Sequence, residues 1–388
     1  MARWVVVGGG AAGCVVAARL SDRAADDVVL VETGPLHASP PAAADRGPYV
    51  VDPTRLAPVT VVRRPGSAPE PYLQGVGLGG SSLVNGALVM GDVTPDAGRG
   101  HDLPLEPPWE HGPLAAALLA TDRRARPVRL VRRDRRRVTV ADAYLTPLAD
   151  RPNLTVRTAA EVVRVRLDGT VAVGVELADG SVLDADRVVL TAGAIRTPAL
   201  LLRSGVRVPG IGEQLADHPA FTITLALRED RIDSTAPMIS VAAVHPDHVV
   251  IPIDELPAAA GFGAIVVALT DVSGEGRVTI DDTGATRVEL NQLDHPDDRR
   301  SMVVAVSGAL RLLDAAPFRD VVTGAFIDDQ GTPATLLTDD PTLIESWILD
   351  HLGGLYHAAG TCRDGVVCDG GVVRGYRGLF VADASALP

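Results

Sequence analysis

The sequence contains no lysine, so all 36 of its basic residues are arginine. Its 388 residues include three cysteines without a C-x-x-C spacing, which excludes a disulfide framework and a cysteine-based zinc site, and we expect no metal. Aromatic residues make up only 3% of the chain, too few for the stacking platforms that bind single-stranded nucleic acid. The net charge of −13 also repels polyphosphate backbones. We therefore expect no nucleic-acid partner.

Long apolar runs are missing as well. No uninterrupted stretch approaches the roughly 18 apolar residues that a membrane-spanning helix needs. No basic segment followed by an apolar one opens the chain, because residues 4–7 (WVVV) run directly into glycines. We expect a cytoplasmic protein without a membrane span. Its cysteines are then expected as free thiols, although a bridge between Cys362 and Cys368 is a second possibility.

Apolar residues make up 46% of the sequence, and 39 glycines and 29 prolines indicate many turns. This length is expected to form two closely connected domains. Residues 154–190 contain valine-rich segments separated by Asp-Gly pairs, which predict a small β-meander. Residues 221–335 alternate in polarity and predict an antiparallel sheet with one or two helices. Asp340 followed by Pro341 predicts a helix start.

Residues 123–137 contain nine arginines. A charge run of this kind is usually a solvated surface element, and we adopt that interpretation. The functional alternatives are a docking face for an acidic partner and a lid over an anionic substrate.

The first chemical motif stands between a predicted strand at residues 3–7 and a predicted helix at residues 11–20. Residues 8–13 (GGGAAG) fit G-x-G-x-x-G, and the next predicted strand ends at Glu32. The glycines permit a tight turn and close approach to a pyrophosphate, and the helix N-terminus favours the phosphates. Glu32 can accept hydrogen bonds from ribose hydroxyls, which favours FAD or NAD over NADP. This unit predicts a dinucleotide site.

Two further segments of small residues follow. Residues 77–86 (GLGGSSLVNG) offer free backbone N–H groups without steric bulk, which suits a phosphate or a flat ring, although such a loop can also be purely structural. Residues 191–198 (TAGAIRTP) follow the predicted buried strand 188–190 and continue into a short helix. This strand end is expected at the edge of the sheet where ligands bind in doubly wound folds.

Together these motifs resemble the GMC (glucose–methanol–choline) oxidoreductases. That family pairs G-x-G-x-x-G with a G-G-S-S-x-x-N-G loop and a G-A-x-x-[ST]-P-x-L-L-x-x-S-G segment, and the sequence has all three in order at residues 8–13, 79–86 and 193–205. Residues 356–362 (YHAAGTC) and 379–385 (LFVADAS) resemble the C-terminal family segments, and residues 215–219 (LADHP) resemble another. The sequence around residues 353–357 and 375–379 is similar to that of the family branch associated with the redox peptide mycofactocin.

The resemblance implies FAD as the cofactor and His357 as the catalytic residue. In the family this histidine faces the flavin and accepts the hydroxyl proton of an alcohol, while hydride moves from the carbinol carbon to flavin N5. His218 matches a family position that we interpret as structural. The implied cofactor-binding residues are Gly8, Gly10, Ala11, Ala12, Gly13, Glu32, Gly79, Gly80, Ser81, Asn85, Gly86, Val162, Ala192, Gly193, Asp383 and Ala384.

Two family features are missing from the sequence. The chain ends at Pro388, before the N-T-x-x-P segment that supplies a second catalytic Asn or His. An arginine usual just before the G-G-S-S loop is replaced by the run Gln74-Gly75-Val76. Loss of one of two proton-handling residues typically slows catalysis by about 10²–10⁴-fold. Either the enzyme works with His357 alone, or the chain is truncated or degenerate.

The expected fold is α/β, with a Rossmann-type FAD-binding domain of a doubly wound sheet plus the meander, and an antiparallel-sheet substrate domain. We expect the FAD domain at residues 1–220 with an irregular or lid insertion at about 92–140, the substrate domain at 221–340, and a return to the FAD domain at 341–388. The expected function is alcohol oxidation, with oxygen, a quinone or a redox carrier as electron acceptor. The alternatives are a hydroxynitrile lyase-like enzyme and a flavin-binding protein without turnover.

Overall fold

The structure is a computed structural model that describes residues 1–37, 53–90, 103–256, 259–337 and 340–388. None of the helices in these ranges is long and apolar enough to cross a bilayer. The α-helices are α1 Ala11–Leu20, α2 Pro113–Thr121, α3 Val140–Tyr144, α4 Gly193–Arg203, α5 Pro296–Leu313, α6 Ala316–Arg319 and α7 Pro341–Asp350.

Strands make up most of the remaining regular structure, and they form several separate sheets. The strands are β1 Arg3–Val7, β2 Asp27–Val31, β3 Val59–Val62, β4 Pro69–Tyr72, β5 Leu88–Val89, β6 Leu105–Glu106, β7 Ala125–Pro127, β8 Arg129–Arg133, β9 Arg136–Arg137, β10 Leu154–Arg157, β11 Val162–Asp168, β12 Val171–Leu177, β13 Val182–Asp184, β14 Arg187–Leu190, β15 Glu213–Leu215, β16 Pro219–Leu227, β17 Val241–Val244, β18 His248–Ile253, β19 Phe262–Leu269, β20 Gly276–Ile280, β21 Thr286–Glu289, β22 Val322–Phe326, β23 Gly353–Gly354, β24 Cys368–Asp369, β25 Val372–Val373 and β26 Leu379–Val381.

The N-terminal strand lies inside a seven-stranded sheet of order β10-β2-β1-β14-β26-β25-β24. Strands β10, β2, β1, β14 and β26 are parallel to one another. β1 and β14 are runs of valine and leucine with most residues buried, as expected for strands covered on both faces. Parallel strands bring their carboxyl ends to one edge of a sheet, so the residues after β1, β2, β14 and β26 meet there. The predicted Rossmann-type sheet is confirmed.

A second sheet, of order β22-β16-β19-β18-β17-β7 with β23 paired to β16, is antiparallel. The buried residues Phe221, Ile223 and Leu225 alternate along β16 and share a core with Met302 and Val306 of α5. This arrangement confirms the antiparallel-sheet domain that the sequence predicts. Three smaller sheets complete the architecture: β11-β12-β13, which is the predicted meander, the mixed sheet β15-β20-β21-β3-β4, and a short group around β8.

The insertion expected at about 92–140 is more ordered than the sequence suggests. Residues 92–102 lie outside the described residues. Of the remainder, α2 packs in the core of the antiparallel sheet and β7 forms that sheet's edge strand. The segment reads as irregular because α2 is apolar on all sides, which hides its helical period. The domain boundaries themselves stay a prediction.

Candidate functional site

A cavity of about 490 Å³ lies at the carboxyl edge of the parallel sheet. The segments that follow β1, β2, β14 and β26 all contribute to its wall, together with residues from the loop before β5 and from the meander. Most of the sequence-predicted cofactor residues line it: Gly8, Gly10, Ala11, Ala12, Glu32, Gly80, Ser81, Val162, Ala192, Gly193, Asp383 and Ala384. The other predicted cofactor residues, Gly13, Gly79, Asn85 and Gly86, are not among its lining residues, and neither is the predicted catalytic residue His357.

The turn between β1 and α1 depends on its glycines. Gly8 has a φ of +103°, which side chains rarely adopt, and a Cβ at Gly13 would lie 1.8 Å from the Gly8 carbonyl oxygen. A Cβ at Gly10 would meet no heavy atom of the described residues within 4 Å, because it would point into open space. Helix α1 has no acidic residue in its first turn and no side-chain cap. Its first N–H groups are therefore available to an anion in the cavity.

Glu32 holds the surrounding loops together. Its Oε2 accepts the N–H of Gly9 at 2.7 Å, and its Oε1 accepts the N–H groups of Gly34 at 2.8 Å and Gly77 at 3.1 Å. A carboxylate oxygen can accept two hydrogen bonds, so Oε2 keeps capacity for a ribose hydroxyl. The predicted ligand-binding role and this structural role are compatible in one side chain.

The loop of residues 77–86 reaches the first glycine turn through backbone contacts. The N–H of Gly79 donates to the carbonyl of Gly9 at 2.7 Å, and a Cβ at Gly80 would lie 2.7 Å from the Cα of Gly10. Both glycines have positive φ. Only residues without side chains allow the two loops to approach so closely. The structure thus brings the first two sequence motifs together at the cavity.

Asn85 and Gly86 end that loop and are not among the residues that line the cavity. The Oδ1 of Asn85 accepts the Arg137 guanidinium at 2.9 Å and the Ala87 N–H at 3.0 Å. Arg137 is buried and also donates to the Asn85 carbonyl at 2.7 Å. Arg132 is buried too. The interpretation of the arginine cluster as a solvated surface element is therefore wrong for two of its members. Arg137 supports the loop of residues 77–86 through Asn85, and Arg132 is buried in the protein interior.

Asp383 joins the ends of β14 and β26. Its Oδ2 accepts the N–H of Gly193 at 2.8 Å and the hydroxyl of Thr197 at 2.7 Å. Its Oδ1 accepts both the N–H and the hydroxyl of Ser385. The carboxylate positions Gly193 and Ala384 in the cavity wall. Side-chain hydrogen bonds of Asp383 therefore hold the segments after β14 and β26 together.

His357 lies on a bulge between β23 and the isolated bridge that joins Ala216 to Ala359. Strand β23 pairs Gly354 with Pro219, and Ala216 pairs with Ala359. Only Asp217 and His218 lie between these pairs on one side, whereas residues 355–358 lie between them on the other. Bulges of this kind re-aim side chains next to active sites. Here the bulge presents His357, while its neighbours Tyr356 and Ala358 line the cavity.

The bulge is held by a carboxylate and a phenol. Asp217 Oδ1 accepts the backbone N–H of His357 at 2.7 Å and that of His218 at 2.8 Å. The hydroxyl of Tyr72 accepts the N–H of Ala358 at 3.0 Å. Tyr356 has a φ of +62°, a backbone conformation that is strained for a residue with a side chain. The hydrogen bonds of the next two N–H groups, those of His357 and Ala358, hold the backbone in this conformation.

Loss of contact with water shifts the pKa values of these groups in opposite directions. The pKa of His357 is lowered, first because the surrounding protein removes water from it and second because of charge on His218. The residue keeps solvent access even so. Burial raises the pKa of Asp217 and that of Tyr72. His357 is therefore a neutral imidazole near neutral pH, the form that can accept a proton.

Sequence reasoning missed the residues behind Asp217. Gln292 donates to Asp217 Oδ2 at 3.3 Å, and Arg63 donates to Gln292 Oε1 at 2.8 Å. Neither residue belongs to a recognisable motif, and they are far from Asp217 and His357 in sequence. The segment LADHP was the one available signal for this network.

The three cysteines are free thiols, as expected from the sequence, and the structure shows that all three are buried. Within the described ranges no group of three or more His, Cys, Asp or Glu residues is arranged to hold a metal ion.

Two family models described as GMC oxidoreductase match the chain, one at residues 126–220 and the other at 273–388, together more than half of its length. The chain belongs to the GMC oxidoreductase family. It is 27% identical to pyridoxine 4-oxidase of Microbacterium luteolum and 26% identical to 5-(hydroxymethyl)furfural oxidase of Methylovorus sp., with 99% of this chain and 94% of each relative covered. The solved structure of pyridoxine 4-oxidase from Mesorbium loti has a TM-score of 0.84 at 23% identity and covers 100% of this chain and 94% of that one.

GMC oxidoreductases use FAD, so the cofactor predicted from the sequence is confirmed. The cavity fits this group in its chemistry: free N–H groups at α1 suit the pyrophosphate, and open space over Gly10 admits it. The mycofactocin branch stays a prediction.

Proposed function

We propose that this GMC oxidoreductase oxidises a small-molecule alcohol, with His357 accepting the hydroxyl proton. The observation that carries the proposal is the bulge, which sets a neutral imidazole between two residues that line the cofactor cavity. Its relatives named for pyridoxine and 5-(hydroxymethyl)furfural support a hydroxymethyl group as the reacting part of the substrate. Oxygen, a quinone or a redox carrier can each serve as electron acceptor.

The cofactor-binding residues predicted from the sequence are proposed for the same roles. The N–H groups at the start of α1 would hold the pyrophosphate, Glu32 the ribose, and Val162 the adenine through its backbone. Ser81 would approach the pyrophosphate and the isoalloxazine, and Ala384 would lie near the flavin and its phosphates. When bound, FAD supplies an acceptor for the hydride that leaves the carbinol carbon. His357 contributes by removing the hydroxyl proton, because the resulting alkoxide character weakens the carbinol C–H bond.

Anaerobic absorbance spectroscopy of the FAD-loaded protein tests this proposal. A panel of alcohols that includes pyridoxine and 5-(hydroxymethyl)furfural is expected to bleach the flavin. His357→Ala should retain FAD and slow bleaching by about 10²–10⁴-fold, the usual contribution of a proton-transfer residue. His245→Ala is the matched control and should bleach normally, since His245 pairs with Asp122 at the end of α2 and is not among the residues that line the cavity.

Bleaching at an unchanged rate in His357→Ala would contradict the role of this residue. Cyanide release from a hydroxynitrile with an unchanged flavin spectrum would favour a lyase. A yellow protein inert in both assays would indicate flavin binding without turnover.

A further inference from the structure

His357 does not stand alone on its bulge. The ring of His218 meets it edge-on, with centroids 5.6 Å apart and an interplanar angle of 85°. The two residues lie on opposite sides of the bulge, between the pairs Pro219–Gly354 and Ala216–Ala359. The contact belongs to the side chain that the proposed function uses, and the inference below rests on that function.

One carboxylate fixes the spacing of the two rings. Asp217 Oδ1 accepts both backbone N–H groups, from His218 at 2.8 Å and from His357 at 2.7 Å. The backbones that carry the rings therefore converge on a single oxygen atom. Asp217 is 5% exposed, so this junction is shielded from water and its geometry is not loosened by competing solvent.

The other oxygen of Asp217 is anchored to distant parts of the chain. Gln292 bridges Asp217 to Arg63, and Arg63 donates from Nε to Glu70 at 2.6 Å. A Cβ at Gly354 would lie 2.8 Å from Arg63 and 3.3 Å from Asp217 Oδ2, so the glycine leaves room for this network beneath the bulge. The position of Asp217 is thus determined by Gln292 and Arg63, which are not among the residues that line the cavity.

The backbone of His357 is fixed on its other side as well. Tyr72 accepts the N–H of Ala358, and its ring packs edge-on against Tyr356 with centroids 5.0 Å apart. With the backbone held at consecutive peptide groups, the remaining freedom of His357 is rotation of its side chain. The ring of His218 is the aromatic surface that limits this rotation.

His218 is not explained by a structural hydrogen bond of its own side chain. Its Nδ1 is buried and has no partner among the described residues. A buried polar atom left without a hydrogen bond costs about 1–3 kcal/mol. A residue chosen only for packing would more favourably be apolar, whereas an imidazole here brings a titratable group beside His357.

We propose that His218 is a positioning residue for His357, and that Asp217 sets the spacing of the two rings. His218 holds the imidazole of His357 in one orientation by its ring, and its charge disfavours a second charge on His357. The other titratable or charged groups around His357 are Asp217, Tyr72 and Tyr356, with Arg63 behind Asp217. The interpretation of His218 as structural, made from the sequence, is replaced by this one.

Two substitutions separate the effects of shape and charge. His218→Phe keeps a ring against His357 and removes the titratable group, while His218→Ala removes both. Nitrogen-15 NMR of the imidazoles in the FAD-bound protein reads the titration of His357 directly, without turnover. In both variants the pKa of His357 should rise, because a neighbouring positive charge has been removed.

Flavin reduction by alcohol is the second readout. At a pH above the titration of His357, His218→Phe should reduce flavin at close to the unsubstituted rate, because the ring still orients its neighbour. His218→Ala should be slower by about 10–100-fold at the same pH, since misplacement of a reacting group costs this much. His245→Phe is the control, because His245 stacks on His248 elsewhere with centroids 4.3 Å apart.

An unchanged titration of His357 in His218→Phe, with FAD bound, would overturn the proposal. Should His218→Ala fail to fold, the near-isosteric phenylalanine variant decides alone. Failure of the proposed function would give a different result. The flavin of His357→Ala would then bleach at the normal rate, whereas the NMR titration would still show whether the two rings are coupled.

Discussion

The two halves of the candidate site are built by different means. At the cofactor edge the contacts are mainly between backbone groups of glycine-rich turns, as where Gly79 donates to Gly9. At the bulge around His357 the contacts run through side chains, and Asp217 and Tyr72 reach across 140 and 286 residues of sequence. The first kind of site is encoded in short motifs and the second in separated residues. Substitutions should therefore affect the two halves differently.

The largest expected effect is at the cofactor edge, where backbone cannot move aside. Gly13→Ala places a Cβ 1.8 Å from the Gly8 carbonyl oxygen, so β1 and α1 must separate. We expect a loss of more than about 4 kcal/mol in the free energy of unfolding, the range of severe core disruptions. Urea unfolding measures it. Gly308→Ala, in the middle of α5, is the control and should not destabilise the protein.

The second effect concerns the antiparallel sheet, where Asp254 caps α2 by accepting N–H groups of Leu114 and Ala115 at 2.6 and 3.1 Å. Burial raises its pKa from 3.8 to about 7. The folded state then binds more protons than the unfolded state between these values, so the free energy of unfolding falls as pH rises through that interval. The fall is on the order of 4 kcal/mol across the whole interval.

Urea titrations at pH 5 and pH 8 measure this slope. Asp254→Asn keeps the capping oxygen and removes the titration, so this part of the pH dependence should disappear. A slope that persists in Asp254→Asn would assign it to other groups.

The third effect is at the bulge. Asp217→Ala removes the acceptor for two buried N–H groups and for Gln292. We expect a loss of about 3 kcal/mol, from the cost of leaving such groups unsatisfied. Binding of FAD, followed by fluorescence quenching, should change little, since Asp217 is absent from the cavity lining. An equally large loss of FAD affinity would break the distinction between the two halves.

The smallest expected effect is Gly10→Ala. Its Cβ meets no described atom within 4 Å and projects into open space where the cofactor is proposed to lie. The protein should unfold as before, whereas FAD affinity should fall by about tenfold, equivalent to about 1.4 kcal/mol. Unchanged FAD affinity would place the pyrophosphate elsewhere.

The difference between the halves also explains what the sequence could predict. Local sequence patterns are enough to predict the parallel sheet, α1, α7 and the glycine turns. Residues 8–13 are an example, because the turn itself requires their glycines. Asp340 at the N-cap and Pro341 at N1 predicted the start of α7 correctly.

The rest depends on tertiary contacts. From the sequence, Arg137 is expected as a surface charge. Only the structure shows that its guanidinium donates to Asn85. Asp217, Gln292 and Arg63 have no shared sequence pattern, and the offset that presents His357 results from pairing between β16 and β23. No local rule predicts which residues will oppose one another across such a bulge.

A crystal structure with FAD bound tests the central claim most directly, because it shows whether the two halves meet at one ring system. We predict the pyrophosphate at the start of α1 and the imidazole of His357 facing the flavin ring, with room between them for a carbinol group whose hydroxyl lies within about 3 Å of the imidazole. A flavin ring bound away from the bulge, with His357 out of reach, would contradict it.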